Sequence, residues 1–118
     1  MKNMMKHQSP IFSRAFDLTV ATGKLVERFP RSRRAVLGRR LEEKALDFHQ
    51  TLSMAAKMND ISHLKKADME LAEYNFALRV AQALGLMSIG LYGEISQISA
   101  ECGRLLGGWI KKSRSQPD

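Results

Sequence analysis

The sequence contains little cysteine, proline or glycine, and each shortage excludes a class of protein. A single cysteine, Cys102, cannot form an internal disulfide, which favours a reducing compartment. Three prolines and eight glycines among 118 residues exclude a collagen-like or low-complexity chain. Charged residues interrupt positions 1–30 so regularly that no apolar run there reaches the length of a signal peptide or membrane span. We therefore expect an ordered cytoplasmic protein that makes no contact with a membrane.

Strand-type alternation is also missing, whereas apolar residues recur at steps of three and four in four segments. Proline, glycine and small polar residues separate these segments. The predicted boundaries are Ser9-Pro10 and Phe29-Pro30 for the first helix, Ser32 for the start of the second, Asn59-Asp60 before the third, Gly85 at its end, and Ser88 as N-cap of the fourth. Four long helices with short links predict an all-α fold, an antiparallel up-down four-helix bundle. Residues 1–118 should form this single domain, with flexible ends at about 1–9 and 113–118.

The same spacing predicts which side chains face the core. The expected inner stripes are Leu37, Leu41, Ala45, Phe48, Leu52 and Ala55 in the second helix, Ile61, Leu64, Asp68, Leu71, Asn75 and Leu78 in the third, and Leu91, Ile95, Ile98, Cys102, Leu105 and Trp109 in the fourth. We expect the polar members Asp68 and Asn75 to set register by pairing with an arginine or a neighbouring helix. Seven apolar residues lie outside the stripes and favour subunit contacts: Val36, Met54, Met58, Phe76, Val80, Met87 and Ile89. The alternative is a broad core or scattered surface positions.

Basic residues are concentrated towards the two ends of the chain. Residues 1–40 hold ten Lys or Arg and two acids, residues 41–110 hold six and nine, and residues 111–118 hold three and one. The formal charge of +7 is therefore distributed asymmetrically around a mildly acidic middle. This pattern favours a polyanionic partner such as nucleic acid.

One basic cluster is the leading candidate for phosphate contact. It has five arginines and no acid within ten residues: Arg31, Arg33, Arg34, Arg39 and Arg40. The planar guanidinium group suits bidentate binding of phosphate oxygens. The alternative is ion pairing with Glu42, Glu43 or Asp47, one or two turns further on. Aromatic residues are few and lie mostly on apolar stripes, so base-stacking platforms are not expected.

Four lysines are second candidates for nucleic-acid contact: Lys65, Lys66, Lys111 and Lys112. A solvated helix face or a solvated tail explains these lysines at least as well.

The last predicted helix carries several glycines beside the only tryptophan, in GRLLGGWIKK at 103–112. Each interior glycine costs a helix about 1 kcal/mol relative to alanine. Gly103 and Gly107 share one helix face, where they would let another backbone approach, and Gly108 would leave room for the indole of Trp109 against a neighbouring helix. We predict a packing or oligomer contact at these four residues. The alternative is a helix end that frays before the basic tail.

Signatures of enzymes, metal sites and cofactor sites are absent. His7, His49 and His63 have no ligand-type spacing, and the Glu-x-x-His motif of carboxylate-bridged metal bundles does not occur. Cys102 lies on the inner stripe of the fourth helix and is interpreted as a small core residue rather than a nucleophile. We therefore expect a non-enzymatic protein with no catalytic residue, no bound metal and no cofactor.

Two stretches carry a resemblance to a known family: FPRSRRAVLGRRL at 29–41 and ALGLMSIGLYGEISQISAECGRLLGGWIKK at 83–112. Their most specific pieces are Phe29-Pro30 before the arginines and the run Gly103-Arg104-x-Leu106-Gly107-Gly108-Trp109. The sequence resembles the accessory variability determinants of diversity-generating retroelements, small four-helix-bundle proteins, over about residues 10–112. The wider group includes bundle proteins encoded by intervening sequences of bacterial ribosomal RNA genes.

The resemblance implies a homopentamer with a basic surface that associates with a reverse transcriptase and template RNA, and by extension with DNA or an RNA–DNA hybrid, during mutagenic copying. One departure bears on the subfamily. The ribosomal branch usually has an Asn-Ile-Ala-Glu-Gly-like run near the end of the second helix, where this sequence reads SMAAK at 53–57. That difference favours the retroelement branch. The alternative is a structural module of the ribosomal type, without a reverse transcriptase partner.

Overall fold

The computed structural model describes residues 9–115, and they form four long helices with short links. The elements are α1 (Pro10–Glu27), a single turn α2 (Arg31–Arg33), a π-helical turn (Arg34–Gly38), α3 (Arg39–Met58), α4 (Ile61–Ala83) and α5 (Ile89–Ser115). The predicted all-α four-helix bundle is confirmed. The expected flexible ends lie largely outside the described residues, within which α5 continues to Ser115.

Contacting pairs run in opposite directions along neighbouring helices. A two-residue turn joins α3 to α4, and Lys44 in the first half of α3 contacts Glu73 in the second half of α4. Between α1 and α5, the rings of Phe12 and Trp109 lie 6.3 Å apart, while Leu25 shares a groove with Leu91. Low residue numbers on one helix therefore meet high numbers on the next, as expected of an antiparallel up-down bundle.

The predicted N-caps of the third and fourth long helices are confirmed by hydrogen bonds. Asp60 Oδ1 accepts a hydrogen bond from the Ser62 backbone N–H at 3.0 Å, and Ser88 Oγ accepts one from the Leu91 N–H at 3.1 Å. Each cap satisfies a donor that the first turn of a helix would otherwise leave unpaired. The local sequence therefore determines where these two helices begin.

Gly85 ends α4 as predicted, in a Schellman motif. Its φ of +76° lies in the left-handed region that glycine adopts without steric cost. The Gly85 N–H donates to Gln82 O at 2.9 Å, and the Leu86 N–H donates to Ala81 O at 3.0 Å.

The core follows the predicted stripe in α3 and departs from it in α4. The prediction is confirmed for Leu41, Ala45, Phe48, Leu52 and Ala55, which are all buried, while Leu37 is half-buried. On α4, Asp68 and Asn75 are exposed, so placing them on the inner stripe was wrong. The buried residues of α4 are instead Leu64, Ala67, Glu70, Leu71, Tyr74, Ala77, Leu78 and Ala81. The alanines favour this rotation because their small side chains let the other helices approach closely. Asn75 still pairs with a neighbouring helix, since its Oδ1 accepts a hydrogen bond from the Ser99 hydroxyl on α5.

A polar pair that the spacing did not indicate crosses the core from α1 to α4. The hydroxyl oxygens of Thr22 and Tyr74 lie 2.5 Å apart, and the Thr22 hydroxyl also donates to Leu18 O at 2.6 Å. Both residues are fully buried, and burial raises the pKa of Tyr74 to about 12. Because a buried hydroxyl without a partner costs about 1–3 kcal/mol, the pair favours the one packing that brings its two members together.

Candidate nucleic-acid interface

The five arginines that are predicted to contact phosphate lie together at the end of the bundle where α1 is linked to α3, and all five are exposed. Arg39 is held by Glu43, with Nε 3.3 Å from Oε2. The guanidinium groups of the other four have no hydrogen-bond or ion-pair partner among residues 9–115: Arg31, Arg33, Arg34 and Arg40. Among the described residues, the alternative that these arginines pair with acids further along the helix therefore holds for Arg39 alone.

The link from α1 places these arginines on the surface. Pro30 O accepts hydrogen bonds from the N–H groups of Arg33 at 2.8 Å and Arg34 at 3.1 Å, which starts a helical turn directly after the proline. The next five residues form the π-helical turn, in which Gly38 is buried and Leu37 half-buried. The chain is thus fixed by Pro30 and Gly38, while the polar positions between and after them remain in water.

Gly38 is the glycine at which this fold requires the absence of a side chain. A Cβ at this position would lie 2.8 Å from Val26 Cγ1 and 3.4 Å from Phe29 Cδ2. Both neighbours are buried, so neither can move away freely. The π-helical turn and the close approach of α1 at Gly38 therefore occur together, beside the arginines. π-helical turns are frequent at functional sites.

The four lysines that are second candidates for nucleic-acid contact lie far from the arginine cluster. Lys65 and Lys66 lie near the start of α4, and Lys111 and Lys112 lie near the end of α5, so all four are at the opposite end of the bundle. The 20 residues of α3 separate the two ends by about 30 Å at 1.5 Å per residue. The chain therefore presents two basic regions, and the arginines form the more compact one.

The glycine-rich end of α5 is arranged differently from a packing notch within the bundle. A Cβ at Gly107 or Gly108 would have no neighbour within 4 Å, and one at Gly103 would make an ordinary 3.6 Å contact with Leu71. Trp109 is buried and packs near Phe12 on α1. None of the helices in the described part of the chain therefore fills the space at Gly107 and Gly108, and a contact with another subunit remains a prediction for them.

Cys102 is buried among the helices, and burial raises the pKa of its thiol to about 12. A thiol with so high a pKa remains protonated at neutral pH, which suits a small core residue rather than a nucleophile. Among the residues that the structure describes, no three His, Cys, Asp or Glu side chains are grouped so that they could hold a metal ion.

Glu70 is a buried carboxylate that the predicted inner stripe of the third helix did not include. Only 7% of the residue is exposed, and its Oε1 has no hydrogen-bond partner among the described residues. Burial raises its pKa, while a hydrogen bond from the Thr51 side chain on α3 and the charge of Lys66 act in the opposite direction. Glu70 is therefore an ionisable group inside the α3–α4 contact.

We expect the wild-type protein to lose stability as pH rises through the pKa of Glu70. The Glu70→Gln variant should not show this loss. The folded pKa of Glu70 lies above its ordinary value of 4.5, so its contribution to folding is complete below pH 4.5 and is lost as pH rises through the folded pKa. Urea unfolding of both proteins between about pH 4 and pH 8 measures this. The unfolding free energy of the variant minus that of the wild type should grow with pH, and a constant difference would contradict the assignment.

Several large apolar side chains lie on the surface of the single chain. Of those predicted to lie outside the core stripes, Val36, Phe76 and Ile89 are 74%, 69% and 79% exposed. Met54 and Met58 are exposed as well, whereas Val80 and Met87 are half-buried. These side chains suit subunit contacts, which remain a prediction.

The structure defines a class of protein: a basic four-helix bundle with an arginine cluster at one end and several exposed apolar side chains. The family model described as bAvd-like, for proteins like the accessory variability determinants, matches residues 12–113. The match covers most of the chain, and the chain belongs to this family. A comparison with curated proteins finds no match. Within residues 9–115, no helix is both long and apolar enough to cross a lipid bilayer.

Proposed function

We propose that this protein binds RNA through the sugar-phosphate backbone, with Arg31, Arg33, Arg34 and Arg40 as the contacting residues. The observation that supports this proposal is the group of four exposed guanidinium groups that have no acidic partner within residues 9–115. A guanidinium group is more weakly hydrated than an ammonium group, so it loses little hydration when it meets a phosphate, and the contact releases counterions from the nucleic acid. The same surface suits DNA or an RNA–DNA hybrid, since the sugar-phosphate charge is common to all three.

Membership of the bAvd-like family supports the biological setting. We propose an accessory protein of a diversity-generating retroelement, which holds template RNA near the reverse transcriptase and catalyses no reaction itself. We further propose that it works as a homopentamer in the cytoplasm. Five copies would multiply the charge of +7 and bring five arginine clusters into one particle.

A purely structural bundle of the ribosomal intervening-sequence type is the second candidate. The exposed apolar side chains favour it, because Val36 and Ile89 would serve protein contacts and would add nothing to phosphate binding. The two candidates differ in one measurable property, the affinity for RNA.

We expect wild-type protein to retain single-stranded RNA on a filter with a steep dependence on salt. Four phosphate contacts on a single strand predict that log affinity falls with log salt at a slope of about −3 per subunit. The measurement is a binding isotherm repeated over rising salt concentration. A slope near zero, or no retention at low salt, would reject RNA binding and favour the structural module.

A further inference from the structure

A shallow depression of about 300 Å³ lies between α3 and α4, close to the arginine cluster. Its lining consists of Arg40, Met69, Ala72, Glu73, Phe76 and Ala77. Four of the six are apolar, and one of these is an aromatic ring. The depression thus combines one residue of the proposed phosphate-binding group with an apolar floor.

Phe76 is an exposed aromatic ring at this position. The residue is 69% exposed, whereas Phe12, Phe29 and Phe48 are buried in the core. The sequence analysis predicted no base-stacking platform, because the sequence does not reveal that Phe76 shares a surface depression with Arg40. An exposed phenyl ring beside an arginine is the combination used by proteins that bind single-stranded nucleic acids.

The charges around the depression favour an anionic ligand. Arg40 has no acidic partner among residues 9–115. Glu73 is the acid in the lining, and its Oε1 lies 2.7 Å from Lys44 Nζ, which neutralises it. A group that combines a flat apolar face with an adjacent negative charge fits this surface, and a nucleotide with an unstacked base has both.

We propose that Phe76 stacks on an unpaired base while Arg40 binds the adjoining phosphate, so that the protein prefers single-stranded RNA to duplex RNA. The inference rests on the proposed function and adds the class of RNA. In a duplex the faces of the bases are already stacked on one another, so Phe76 cannot reach them, and the arginines alone contribute. In a single strand both kinds of contact contribute.

The test compares two variants, Phe76→Leu and Phe16→Leu, on short single-stranded RNA and on duplex RNA of the same length. Phe16 is a matched control, since its ring is also exposed, at 66%, but lines the groove between α1 and α5. Leucine keeps each side chain apolar and removes the flat ring. We expect Phe76→Leu to weaken single-strand binding by about tenfold, the effect of one lost base–aromatic stack, and to leave duplex binding unchanged. Phe16→Leu should change neither affinity.

A fluorescent 2-aminopurine base in the single strand provides a second readout. Stacking on Phe76 should change its emission on binding, and the change should disappear in Phe76→Leu. Equal loss of single-strand and duplex binding, or no loss, would overturn the stacking role while leaving the salt-dependent function intact. A changed particle mass of Phe76→Leu in light scattering would overturn it too, by assigning Phe76 to a subunit contact. Failure of the wild-type protein to bind any RNA would reject both proposals.

Discussion

Replacing Arg33, Arg34 and Arg40 together with alanine is expected to weaken RNA binding by about a hundredfold at about 0.1 M salt. Each phosphate contact on a single strand contributes about 0.7 to the slope of log affinity against log salt, so three lost contacts should make the slope shallower by about 2. Filter binding over a range of salt concentrations measures both effects.

The helix content of this triple variant should remain that of the wild type. The three arginines are exposed, their guanidinium groups have no partner among the described residues, and alanine is a strong helix former. Circular dichroism and thermal unfolding check this directly. A variant that unfolds would show that the arginines stabilise the bundle, which would remove them as evidence for an RNA surface.

A control triple variant separates the arginine cluster from the charge of the whole chain. Replacing Lys65, Lys66 and Lys111 with alanine also removes three positive charges, but at the opposite end of the bundle. If the arginines form the binding surface, the lysine variant should retain most of the affinity and the salt slope of the wild type. Equal losses in the two triple variants would mean that RNA binds to the general charge of the protein.

The sequence predicted the features of the fold that depend on neighbouring residues. Asp60, Gly85 and Ser88 act through hydrogen bonds that reach only a few residues, so their roles at helix ends were visible in the sequence. The exposure of the arginines was predictable for a similar reason, because the apolar stripe beside them determines which face is inward. The pairing of Arg39 with Glu43 is also local, at a spacing of four residues.

Features that depend on contacts between distant segments could not be predicted in this way. On α4, steps of three and four residues fit two neighbouring faces, and the choice depends on contacts with other helices, such as that of the Tyr74 hydroxyl with Thr22 on α1. The depression beside Arg40 likewise requires α3 and α4 to be placed together. The sequence analysis predicted a close helix contact at Gly107. In the structure the close approach is at Gly38, against Val26 and Phe29.

Gly38→Ala is expected to lower the free energy of unfolding by about 1–2 kcal/mol. The new Cβ would lie 2.8 Å from Val26 Cγ1, so the buried Val26 side chain or the π-helical turn must shift, and such overpacking costs about 1–3 kcal/mol. Alanine's better helix propensity offsets up to about 1 kcal/mol of this cost. Urea unfolding monitored by circular dichroism measures the difference, and the melting temperature should fall by about 4 °C for each kcal/mol.

Gly107→Ala makes the same chemical change on α5 and should have the opposite effect on a single subunit. Its Cβ would have no neighbour within 4 Å, so only the gain in helix propensity remains, and stability should rise by up to about 1 kcal/mol. If Gly107 contacts another subunit, the added methyl group should instead reduce the particle mass measured by light scattering. A destabilised Gly107→Ala variant with unchanged particle mass would contradict the open geometry at Gly107. A Gly38→Ala variant with the unfolding free energy of the wild type would contradict the close approach of α1 beside the arginines.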